Sequence, residues 1–243
     1  HNHINILDVL PLGCCLIRIN KNQVKNATKL DIFTYFITLI IHDIGHIGLT
    51  NKDIIDNYIF INDIDDFEDH ESSGEDSTST MYSYTNDNSI NELNHITLGY
   101  YLLQKHNIRI NKEFYGKLIA YTDLQVHSVF LKKDLIYYDI LNKNIHFFNI
   151  DNIFILFIKL ADIGHILPPW NTHFKFVCNL NKERNTPLTF DVLIDDTINF
   201  NTTFVLPLVI SIEKINVDLH KKLLDKYLTN INHWFLLKEH IIK

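Results

Sequence analysis

The stretch that most constrains this chain is DIFTYFITLIIHDIGHIGLTN, residues Asp31 to Asn51. Apolar residues at nearly every position from Ile32 to Ile41 predict a helix buried on most sides. Asp31 is placed to cap its start, and Gly45 and Gly48 to stop it. His42 and Asp43 close the apolar run, and His46 follows one turn later. Burying an imidazole and a carboxylate without partners is costly, and a divalent cation is one efficient remedy. Adjacent side chains on a helix diverge by about 100°, so both can face one ion only where the helix ends. Taken alone, the dipeptide is better explained by a hydrogen-bonded core histidine beside a capping aspartate.

The rest of the chain tips that balance. A second apolar run, DNIFILFIKLAD from Asp151 to Asp162, also delivers an aspartate at its end. Residues 1–18, 54–61, Ile90 to Gln104, Glu113 to Val126, Phe200 to Ile215 and Leu219 to Leu237 carry apolar residues at helical steps, with Pro207 as a kink or boundary. Residues 179–196 read as polar and irregular. Almost nothing alternates with period two, so the expected fold is all-α, a compact multi-helix bundle. The acidic, Ser/Thr-rich tract from Asp63 to Thr80 buries too little apolar surface to order itself and is expected to be a disordered insertion.

Composition excludes several classes. The 243 residues are 46% hydrophobic and 21% charged, which suits one domain with a sizeable core. A net charge of −7 without a basic stripe argues against nucleic acid as a partner. Three cysteines, two of them adjacent at 14 and 15, make no disulfide framework and fit a reducing, cytoplasmic setting. Both apolar runs are too short to span a membrane. A first residue of His rather than Met suggests a piece of a longer protein, which could itself be membrane-anchored.

Two helices far apart in sequence thus each present an aspartate at an apolar end, with histidines at 42, 46, 95 and 165 near them. Such hard oxygen and imidazole ligands are what a divalent hydrolytic centre needs, where the metal brings the pKa of a bound water toward neutrality. These residues alone point to a helical metal-dependent hydrolase.

Six blocks in order carry a resemblance. HNHINILDV at 1–9 resembles HNxxHAxDV, and HDIGHIGLTN at 42–51 resembles HDxxHPGxxN, with Ile47 for proline. NDNSINELNHITLGYYLLQ at 86–104, TDLQVH at 122–127, ADIGHILPPW at 161–170 and FNTTFVLPL at 200–208 resemble NDxSVLENHH, TDMxxH, ADxSHPxxxW and FIxxxxxPL. Together they resemble, nearly end to end, the catalytic domain of class I cyclic nucleotide phosphodiesterases of the HD-domain superfamily.

The resemblance implies one catalytic domain over 1–243, without the helices that ordinarily precede the first motif. It implies hydrolysis of cAMP or cGMP to 5′-nucleoside monophosphates with two divalent ions, zinc and magnesium or manganese. It implies His1 as general acid toward O3′, and His42, Asp43 and Asp162 on the tighter metal, with Asp43 bridging to the second. His46 and Glu92 would hold waters on the second ion, Asn51 and His95 would support the ligands, and Phe200 would stack on the purine beside His165. It is also compatible with a homodimer. Three departures matter. The histidine that should complete the metal set falls on Asn5, an inferior zinc ligand. The purine-reading glutamine falls on Thr197, which cannot make an amide's paired contact. A QGDxE segment has no clear counterpart in 171–186. These departures motivate a second reading, a phosphodiesterase-like domain that binds or scaffolds without turnover. A third is an HD-type hydrolase of another phosphate ester.

Overall fold

A computed structural model describes residues 3–56, 89–131, 149–184 and 186–241. His1 and the acidic tract 63–80 lie outside the described residues. Among the described residues every regular element is helical and there is no strand. The chain divides into two compact units, His1–Ile4 with Ala27–Asp123, and Asn5–Asn26 with Leu124–Lys243. No described helix is long and apolar enough to cross a membrane.

In the first unit, α2 runs Lys29–Ile41, α3 Asn51–Asp56, α4 Ile90–Lys105 and α5 Lys112–Ala120. The cap of α2 is Thr28, not Asp31. Its hydroxyl accepts from the Asp31 amide, while the Asp31 carboxylate accepts from the Thr28 amide at 3.0 Å, a reciprocal capping box. The other Asp31 oxygen accepts from Asn111 Nδ2 at 2.8 Å, which ties the start of α2 to the start of α5. The interior joins Ile96, Leu103, Tyr115, Ile119 and Ala120, with Ile37 and Ile41 of α2 packed against them. Gly99 admits this packing, because a Cβ there would strike the Tyr115 hydroxyl. That hydroxyl donates to the His95 carbonyl at 3.2 Å. Two expectations are corrected here. α2 is not buried on most sides, since Leu30, Phe33 and Ile40 are exposed along it. The helix expected over 113–126 ends at Ala120, and helical turns begin again at His127–Val129.

The second unit contains α1 (His3–Ile19) from Asn5 onward, α6 (Ile150–Ile163), α7 (Trp170–Glu183), α8 (Phe190–Phe200), α9 (Leu206–Ser211) and α10 (Val217–Ile241). α6 is its core, with every residue from Ile153 to Ala161 buried, Lys159 included. A helix apolar on all sides belongs in an interior. α10 buries a stripe at Leu219, Leu223, Tyr227, Ile231 and Trp234, the three- and four-residue steps of one face. The region read as irregular, 179–196, is instead two helices joined by a short link. Asn181 pins that link by donating to the Leu188 carbonyl and accepting from its amide, at 3.0 and 2.9 Å. α8 then starts at Phe190, burying Leu193, Ile194, Thr197 and Ile198. Nor is 200–215 one helix. A π-helical turn, Asn201–Val205, separates α8 from α9, with Pro207 in the first turn of α9, where proline is tolerated.

Candidate active site

In the first unit, α2 ends at Ile41 and His42 is its cap residue. The chain then turns tightly, with the Ile44 amide on the Ile41 carbonyl and the His46 amide on the Asp43 carbonyl, at 3.0 and 3.1 Å. Gly45 allows the turn because its φ is +76°. The His42 ring is buried, and its Nδ1 donates to the Leu39 carbonyl at 3.2 Å. That bond leaves Nε2 as the ring's other face, and Nε2 lies 3.4 Å from Asp43 Oδ2. A ring nitrogen and a carboxylate oxygen aimed at one another repel unless a proton or a cation is shared between them. A backbone carbonyl on Nδ1 is also the support that metal-binding histidines ordinarily have.

Around this pair stand the other residues of the motif. His46 Nδ1 accepts from the Gly48 amide at 2.9 Å, and its ring lies 5.6 Å from that of buried His95. Asn51, at the start of α3, donates to Glu92 Oε2 at 2.9 Å and accepts from the Asn91 amide at 2.8 Å. Asn91 donates in turn to the Leu49 carbonyl. Glu92 is thereby held on the first turn of α4. Burial pushes its carboxyl above the usual range against the pull of the Asn51 bond, and the negative charges of Asp123 and Asp43 push it further. Two carboxylates bearing on a buried third in this way make an environment that favours a cation.

Asp123 is a member of this set that the sequence reading did not single out. It is buried and accepts from the buried Ser89 hydroxyl at 2.6 Å. The signal for it was the aspartate of TDLQVH, a carboxylate beside the apolar run that ends α5.

In the second unit, Asp162 sits half-buried at the end of α6, one residue before Ile163. His165 stacks on Phe176, centroids 3.6 Å apart and planes within 18°. Thr197 is buried on α8, and its hydroxyl donates to the Leu193 carbonyl at 2.7 Å, so only its lone pairs remain for a ligand. Phe200 closes α8 and lies 5.2 Å from Phe204, whose ring in turn meets the edge of His127 at 5.3 Å. Asn5 lies within α1. Metal-ligating groups are therefore an imidazole and a carboxylate at His42 and Asp43 in the first unit, and a carboxylate at Asp162 in the second. In the first unit, one borderline nitrogen and one hard oxygen suit a divalent ion.

Known proteins bear on this arrangement. No family model matches the chain. A cGMP-specific 3′,5′-cyclic phosphodiesterase delta of Plasmodium falciparum is 30% identical over 195 residues, 75% of this chain and 22% of that protein. The alpha form from the same organism is 27% identical over 194 residues, 73% of this chain and 17% of that protein. The chain belongs to the cyclic nucleotide phosphodiesterase family. As a phosphodiesterase-family chain it spans about a fifth of the length of these curated relatives. Its fold is that of solved phosphodiesterase domains. The domain of the RhoPDE fusion protein from the choanoflagellate Salpingoeca rosetta superimposes with a TM-score of 0.75 at 18% identity, covering 99% of this chain and 78% of that one. LmjPDEB1 in complex with IBMX gives 0.71 at 14% identity, covering 99% and 75%.

Proposed function

We propose that this chain hydrolyses 3′,5′-cyclic nucleotides to 5′-nucleoside monophosphates with the help of two divalent cations. The observation that carries the reading is the His42–Asp43 pair at the end of α2, its tautomer set by the Leu39 carbonyl and its Nε2 turned to a carboxylate oxygen. By resemblance to the family, His42, Asp43 and Asp162 would hold one divalent ion, for which zinc suits the imidazole, and Asp43 would also serve a second, magnesium or manganese. When bound, such ions activate water and neutralise charge on the phosphate.

The chain's own groups do the rest. Glu92, steadied by Asn51, and His46 orient water near the second ion. His95 supports them from α4. Phe200 offers a face to the purine, with His165 near the nucleotide. Thr197 accepts a hydrogen bond from the base edge. His1 supplies the proton to the departing O3′. Guanine and adenine both offer N–H donors to an acceptor such as Thr197, but both curated relatives are described as cGMP-specific. We therefore place cGMP first and cAMP second. The absence of any disulfide among Cys14, Cys15 and Cys178 suits action in the cytoplasm.

The test is release of 5′-GMP and 5′-AMP from the two cyclic nucleotides, with Mn²⁺ or Mg²⁺ supplied and Asp162→Ala alongside. Turnover that disappears in Asp162→Ala is the expected result. Turnover that survives it removes Asp162 from the site. One specific observation favours a second reading, binding without turnover. Asn5 stands where the family has a metal-binding histidine. A folded, metal-supplied chain that binds cyclic nucleotide yet releases no product would establish it.

A further inference from the structure

The connection from α6 to α7, Gly164–Pro169, begins two residues after Asp162 and carries His165. Two of its six residues are prolines. Pro168 and Pro169 have no amide hydrogens to contribute. Its internal backbone bond runs from the Leu167 amide to the Gly164 carbonyl at 2.9 Å. Ile166 and Leu167 are buried, so carbonyls beside them need donors from elsewhere.

Those donors come from α10. Asn230, itself 3% exposed, donates from Nδ2 to the Ile166 carbonyl at 2.6 Å and to the Pro168 carbonyl at 2.7 Å. A single amide group thus spends both its hydrogens on two carbonyls of the same turn. One helical turn further, Trp234 Nε1 donates to His173 Nε2 on α7 at 2.8 Å. The Trp234 ring also meets Trp170, the first residue of α7, edge-on with centroids 5.2 Å apart. α10 therefore grips both the turn and the helix that follows it.

We propose that Asn230, backed by the Trp234–His173 bond, is a positioning residue that sets the direction in which Asp162 and His165 point. The inference rests on the reading of Asp162 as a metal ligand. Asparagine suits the task because its planar NH₂ reaches two carbonyls at once. Aspartate of the same size would face both carbonyls with oxygen, and alanine would leave them buried and unsatisfied. Outer partners of metal ligands commonly govern affinity by about 10- to 100-fold, and loosening this turn acts in the same way.

The experiment is calorimetric titration of the chain with Mn²⁺, at a temperature where circular dichroism shows each variant folded. Asn230→Ala should weaken Mn²⁺ binding about tenfold or more, while Asn232→Ala, at an exposed neighbour on α10, leaves it unchanged. A merely structural role lowers the melting temperature but not the affinity of the folded protein. If Asn230→Ala does not fold, Trp234→Phe removes one donor and leaves a smaller aromatic ring in place, and it should weaken binding severalfold. Equal Mn²⁺ affinity in the folded variant and the unaltered chain overturns this inference alone. An unaltered chain that binds no Mn²⁺ overturns the metal reading of Asp162 as well.

Discussion

Single residues decide what this site can hold. Thr197 has already spent its proton on the Leu193 carbonyl, so it meets a base only as an acceptor. Thr197→Val keeps the shape and removes that acceptor, which should cost about 1 kcal/mol. The expected outcome is a KM for the preferred cyclic nucleotide raised severalfold with kcat nearly kept. Steady-state kinetics on both nucleotides checks it, and an unchanged KM would take Thr197 away from the base. Gly99 decides packing rather than chemistry. A methyl there meets the Tyr115 hydroxyl that holds the His95 carbonyl. Gly99→Ala should destabilise by about 1–3 kcal/mol, read as a lower urea midpoint. Equal midpoints would mean that the first unit repacks freely.

Elements were legible where the apolar pattern was long. α2 and α6 show themselves as long, mostly apolar runs, and their terminal His42-Asp43 and Asp162 announce chemistry because charges rarely end such runs without purpose. Boundaries and partners were less legible. Thr28 rather than Asp31 caps α2 because the two residues share the cap, and either reads as its start. α8 was hidden because its buried positions, Leu193, Ile194, Thr197 and Ile198, are interleaved with Asp191, Asp195 and Asp196. Asn230 carries no local signal, since its meaning lies in carbonyls far away along the chain, and Asp123 is marked by the TDLQVH block alone. The capping box gives a direct test at this scale. Thr28→Ala removes the acceptor for the Asp31 amide and should cost about 1 kcal/mol. A thermal melt that does not shift would show that the Asp31–Asn111 bond holds the helix start unaided.

The whole molecule should be sensitive to acid. His173 is buried and held to about 4, burial being the chief cause, and its Nε2 must stay bare to accept from Trp234. Burial beside Lys159 likewise holds His127 to about 4. Both values lie below the 6.5 of an ordinary histidine, so between the two the unfolded chain binds more protons than the folded one. Stability is therefore full above about pH 6.5 and falls as pH drops toward 4, by about 2–3 kcal/mol for each histidine. Urea unfolding from pH 7.5 to 4.5 measures it, and a midpoint that stays level across that range would count against both burials.

The exposed row on α2 adds a colloidal consequence. Leu30, Phe33 and Ile40 present an oily strip to water, and at neutral pH a net charge of −7 keeps neighbouring molecules apart. Near the isoelectric point, about pH 6.0, that repulsion vanishes while the strip remains. The protein should then be least soluble in the range where its histidines begin to strain the fold, and turbidity should peak there rather than at the acid extreme.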